Sequence, residues 1–134
     1  MRFVLDASVV ITWAMGDEDH PLADLAFERI RTDSSAVVPA IWWYEIRNVL
    51  LLNERRNRIS PEDSIQFLSD ISGFEIELRP VENSQSTIDL ARQLKLSVYD
   101  AAYLALAVNL KLPIATLDEA LQSAARTVNV PLLS

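Results

Sequence analysis

Four acids, Asp6, Glu45, Asp100 and Asp118, each sit inside or at the edge of an apolar stretch, reading RFVLDASVV, AIWWYEIRNVLLL, SVYDAAYLALAV and LPIATLDEAL. A carboxylate in such surroundings is costly unless something pairs with its charge. Carboxylates gathered together raise one another's pKa, and a bound cation makes such a cluster tolerable. Hard divalent ions take oxygen ligands, and a Mg²⁺ site typically combines one or two protein carboxylates with water and substrate phosphate. The four acids therefore point to a shared site for one or two ions, Mg²⁺ or Mn²⁺. Taken singly, each has a plainer reading. Asp6 and Asp118 can cap the helices that follow them, Asp100 can complete a capping box begun by Ser97, and Glu45 can face solvent.

Other chemistry is scarce in this chain of 134 residues. It has no Cys, which removes disulfides, thiolate nucleophiles and thiolate-bound metals. Its single His20, in GDEDHPLAD, reads as a loop or helix-entry residue and leaves no imidazole pair for a triad. The formal charge of −7 argues against holding nucleic acid by bulk electrostatics, so a nucleic-acid substrate would need bound cations and local basic patches. The start, MRFVLD, lacks the apolar length and cleavage site of a secretory signal, and no apolar run approaches the ~20 residues of a membrane span. A cytoplasmic protein with no membrane anchor is expected.

To bring the acids together, the chain must place strand ends beside helix starts. Residues 2–5 form a short β-type run ending at Asp6, and the helix that follows at once has Ser8 as a candidate cap. Asp19 before Pro21 signals a second helix, AVVP a second strand, and Ile41 to about Asn57 a helix whose inner stripe contains Glu45. Ser60 and Pro61, with Asp63 as capping-box acid, open a helix that stops near Gly73. FEIELR alternates as a strand, residues from about Asn83 to Leu94 form an amphipathic helix, and SVYDAAYLALAVNL is a helix apolar on most faces. LPIAT reads as a strand, Asp118 as the start of the last helix, and TVNVPLL as a final edge strand. Alternating strands and helices with short connections imply a three-layer α/β/α domain around a mostly parallel sheet.

The segments LDASV, YEIRNVL, YDAAYLALA and ATLDEAL, in that order, resemble the motifs of the PIN-domain nucleases, most closely the VapC-type toxins of bacterial and archaeal type II toxin–antitoxin pairs. The resemblance covers nearly the entire chain and implies a single PIN-like domain over residues 1–134. It assigns Asp6, Glu45, Asp100 and Asp118 to a catalytic metal site, led by Asp6 and Asp100, with Asp118 at a position where members vary and Glu119 stands beside it. Ser8, Asn48 and Thr116 match accompanying polar positions, read as groups that orient carboxylates or water. Capping by Ser8 and a core role for Thr116 remain alternatives. The implied activity is Mg²⁺- or Mn²⁺-dependent hydrolysis of RNA, leaving a 5′-phosphate and a 3′-hydroxyl. The implied partners are a second copy of the chain and a VapB-type antitoxin.

Arg47 and the run NERRNR, with Arg55, Arg56 and Arg58, form the most basic patch and can guide an RNA backbone, against the plainer reading of a solvated helix end. Trp13, Trp42 and Trp43 can stack bases, although large aromatics beside apolar helices are more often core. A PIN-like binding module without catalysis is the main rival. A receiver-type phosphoacceptor is disfavoured, because no paired acid follows Asp6 and the AVVPA and FEIELRP strands lack a phosphoacceptor Asp.

Overall fold

The computed structural model describes residues 1–16, 20–80 and 84–134. Its described strands are β1 (Arg2–Leu5), β2 (Ser35–Pro39), β3 (Ile76–Arg79) and β4 (Ile114–Ala115). They form one sheet in the order β3-β2-β1-β4, parallel throughout. Val4 lies opposite both Val37 of β2 and Ile114 of β4, which makes β1 a central strand covered on both faces. Phe3, Val4 and Leu5 are accordingly fully buried, and the run is continuously apolar rather than alternating.

The helices are α1 (Ala7–Met15), α2 (Pro21–Thr32), α3 (Ile41–Arg55), α4 (Pro61–Ile71), α5 (Ser84–Leu94), α6 (Val98–Leu110) and α7 (Glu119–Thr127). The chain moves from β1 to β2 to β3 through α1–α4, then returns across the sheet to β4 through α5 and α6. Parallel crossovers are right-handed, so the reversal puts α5 and α6 on the face opposite α1–α4. The expected α/β/α layering follows, with α6 packed on β1 and β2. On the other face, Trp13, Phe27 and Phe74 meet edge to face at centroid distances of 5.4–6.2 Å and tie α1 and α2 to the approach to β3.

Local sequence explains most element ends. Ser60 and Asp63 form the full capping box ahead of α4. The third helix stops at Arg55, short of Asn57, which takes a left-handed conformation (φ 57°) that Asn tolerates better than most residues. Four expectations need adjustment. The final segment adds only one bridge, Ile114 to Leu132, rather than a strand. His20 occupies the cap position before α2, while Asp19 and Asn83 lie outside the described residues. Ser8 lies inside α1 and does not cap it; Asp6 holds that position. And α6, although mostly buried, leaves Val98, Tyr99 and Val108 exposed.

Candidate active site

The strand order reverses between β1 and β4, and in open parallel sheets ligands bind beyond the strand ends at such a switch point. Asp6 directly follows β1, and its N–H bonds to Ala115 O at 2.9 Å, locking the two strand ends together. Thr116 and Asp118 follow β4, Asp100 sits in the first turn of α6, and Glu45 lies one turn into α3. Four helix starts thus converge, and their dipoles partly offset the gathered negative charge.

Asp6 is buried and has a specific set of donors. Ser8 Oγ and Thr116 Oγ1 both donate to its Oδ2, at 2.6 and 2.8 Å. Those hydroxyls are themselves held in place: Ser8 Oγ accepts the Leu117 N–H at 3.0 Å, and Thr116 Oγ1 accepts the Asp118 N–H at 3.1 Å. Gln122 Nε2 donates to Thr116 O at 2.7 Å and fixes the turn after β4. Two small hydroxyls therefore stitch the end of β1 to the end of β4 through one carboxylate oxygen.

Burial pushes the Asp6 carboxyl above its ordinary pKa, and Asp118 adds repulsion, while Ser8, Thr116 and the Ala7 N–H oppose the rise. Asp100 is raised by burial and by the charges of Asp118 and Asp6, against a Ser97 hydrogen bond. Glu45 is raised by burial and by Asp6 and Asp100, against the Tyr103 hydroxyl. The acids thus feel one another across the switch point. Among the described residues, no Lys or Arg forms an ion pair with any of the four.

The plainer readings hold in part. Asp118 is exposed and caps α7, its Oδ1 accepting the Leu121 N–H at 3.0 Å. Ser97 Oγ accepts the Asp100 N–H at 3.0 Å, one half of a capping box, while the Asp100 side chain remains half-buried beside the other acids. Glu45 does not face open solvent, because it is half-buried and accepts the Tyr103 hydroxyl at 2.6 Å. Among the described residues no three acids stand close enough, as the side chains lie, to share one ion. The donor set still fits a hard cation: all ligating atoms are oxygens, and three carboxylates repel one another with no cation beside them. Joint ligation by three of them would require side-chain rotation.

The remaining candidates divide. Thr116 is fully buried and Ser8 half-buried, both in contact with Asp6, whereas Asn48 is exposed and its side chain makes no hydrogen bond among the described residues. The Arg47 guanidinium lies 3.7 Å from the Trp43 ring centroid and donates to Trp43 O at 3.1 Å. Burial holds its pKa below the ordinary value. Arg55 stands ten residues beyond Glu45, about 15 Å along the α3 axis, and Arg58 is engaged with Asn53 Oδ1 at 3.2 Å. Trp42 and Trp13 are core and partly buried core residues respectively, while Trp43 is exposed. Tyr103 carried no motif signal, because in YDAAYLALA it reads as core. Its spacing of three from Asp100, on the same helical face, is the signal that marks it.

An open parallel α/β sheet with carboxylates gathered at its switch point belongs to the class of domains that bind ligands beyond the carboxyl ends of their strands. The family model of the PIN domain matches residues 3–127, and the chain belongs to the PIN-domain family, generally a metal-dependent nuclease fold. The crystal structure of PAE2754 from Pyrobaculum aerophilum superposes with a TM-score of 0.72 at 18% identity, covering 92% of this chain and 84% of that one, a likeness of fold. No curated protein sequence matches. Among the described residues, no helix is long and apolar enough to cross a membrane.

Proposed function

We propose that this chain is a Mg²⁺- or Mn²⁺-dependent endoribonuclease acting as the toxin of a VapBC-type pair. The observation that carries the reading is the convergence of Asp6, Glu45, Asp100 and Asp118 from four separate segments onto the switch point of a PIN domain, with no basic residue paired to them among the described residues. A divalent ion held there would lower the pKa of an attacking water and offset charge growing on the phosphoryl oxygens. Asp6 and Asp100 are its main ligands in this reading, with Glu45 and Asp118 completing the set. The hydroxyls of Ser8 and Thr116 fix Asp6 by one oxygen and leave Oδ1 without a hydroxyl donor.

Support for RNA with unpaired bases comes from the rim. Tyr44, 65% exposed, adjoins Glu45, and Tyr99, 62% exposed, adjoins Asp100. The Trp43 ring, backed by Arg47, offers a stacking surface beside a cation. Arg55, Arg56 and Arg58, further along and beyond α3, would meet only the flanks of a bound strand. A homodimer and a VapB-type antitoxin that covers the site belong to the same reading. The rival, a PIN-like binding module without catalysis, is favoured by one observation, the spacing of the acids too wide for direct joint ligation.

The two readings separate in a growth and cleavage experiment. Expression of the wild-type chain alone should arrest growth, and Asp6→Asn or Asp100→Asn should abolish both the arrest and RNA cleavage by purified protein while retaining a native melting transition. Growth indifferent to expression, with full-length RNA after incubation, would establish the binding module instead.

A further inference from the structure

We infer that Tyr103 is a positioning residue, its phenol holding the Glu45 carboxylate at the switch point in register with Asp6 and Asp100; the inference rests on the metal-site reading above. Glu45 is attached through a long side chain whose rotamer freedom favours release to solvent. Asp6 and Asp100 repel it in the same direction. Among the described residues, the 2.6 Å hydrogen bond from Tyr103 is the side-chain bond that opposes this, and no other donor reaches Glu45.

The phenol is suited to the task because its ring is packed in the core. Tyr103 is fully buried in the core, on the same face of α6 as Asp100 one turn earlier. The hydroxyl points from the end of this helical turn to Glu45 Oε1, where it donates. The bond thus joins α6 to α3, the helices from which Asp100 and Glu45 arise. It also takes only Oε1, so among the described residues Oε2 of Glu45 has no hydrogen-bond donor. The arrangement parallels the two hydroxyls on Oδ2 of Asp6: in each carboxylate the side-chain donors take one oxygen.

A Tyr that merely satisfied its own hydroxyl in the core would show the same bond, and Tyr103→Phe separates the two roles. The substitution keeps the ring and removes the phenol oxygen alone. Purified wild type, Tyr103→Phe, Glu45→Ala and the double variant are titrated with Mn²⁺ and followed by electron paramagnetic resonance. Crystal structures of the metal-free wild type and Tyr103→Phe are compared alongside. The expected result is a single retained melting transition, a Glu45 carboxylate displaced in Tyr103→Phe, and Mn²⁺ binding weakened 10- to 100-fold. In the Glu45→Ala background the same change should weaken binding no further. Wild-type Mn²⁺ affinity with Glu45 still in place would overturn the inference, as would an equal loss in the Glu45→Ala background. If wild type binds no Mn²⁺ yet Glu45 swings away in Tyr103→Phe, the metal reading fails while the positioning role stands.

Discussion

Thr116→Val removes one hydroxyl from a fully buried position and changes the shape of the side chain little. The hydroxyl donates to Asp6 Oδ2 at 2.8 Å and favours the ionised carboxylate against the rise that burial imposes. Bonds to an ionised carboxylate contribute about 1.5–3 kcal/mol, against about 0.5–1.5 kcal/mol between neutral partners. The other bond lost, from the Asp118 N–H, lies at an exposed residue where water can replace the acceptor, so it adds little. The expected cost is therefore about 2 kcal/mol at pH 7, roughly 8 °C in melting temperature for a chain of this size. The pH dependence follows from the raised pKa of Asp6 in the folded state. A carboxylate so raised withdraws stability as pH climbs through its native pKa, and Thr116 limits that withdrawal by lowering it. The penalty of Thr116→Val should thus shrink by about 1 kcal/mol when pH falls below the native Asp6 pKa, where the lost bond is neutral. Urea unfolding in EDTA at pH 7 and along a series of falling pH values measures both. A cost below about 0.5 kcal/mol at pH 7, or one that grows on acidification, would refute the reasoning.

Asp6→Asn should melt several degrees higher than wild type in EDTA at pH 7, because it removes a buried charge that burial and Asp118 both disfavour, yet it should lose metal-dependent cleavage; differential scanning calorimetry gives the first sign directly. Mn²⁺ should raise the wild-type melting temperature more at pH 8 than at pH 5, since the raised carboxylates of Asp6, Glu45 and Asp100 must lose their protons to bind, and equal shifts would argue against these ligands. Ser60→Ala should cost about 1 kcal/mol by opening the α4 capping box and leave RNA cleavage unchanged, as denaturant melts and a cleavage assay would show. Arg47→Ala should raise the KM for RNA several-fold with little change in kcat, measured on a short single-stranded substrate.

The α/β/α layering was legible because apolar runs, caps and turns agree along the chain. Ser60–Asp63 and Asn57 mark their boundaries by local chemistry that tertiary contacts do not override. The last segment misled, since TVNVPLL has strand composition but meets the short β4 through one residue pair. Within the site, Ser8, Thr116 and the four acids were visible as motif positions, and the orienting reading of Ser8 stood beside an equal reading as a helix cap. Its neighbour Asp6 is a stronger candidate cap by sequence, and only the approach of Leu117 from the far end of the chain reveals why the hydroxyl is there. Asn48, one turn after Glu45 on α3, is exposed and makes no side-chain hydrogen bond among the described residues, so its motif position alone did not place it against the acids. Tyr103 stayed hidden because a buried tyrosine in an apolar helix reads as packing until its partner, 58 residues away, is located.

The most direct test of a shared metal site for RNA hydrolysis is incubation of the purified chain with total RNA in Mn²⁺ and in EDTA, followed by mapping of the cut ends. The account predicts cleavage in Mn²⁺ alone, with 5′-phosphate ends, and none by Asp100→Asn. Cleavage that persists in EDTA, or that Asp100→Asn carries out as wild type does, would contradict it.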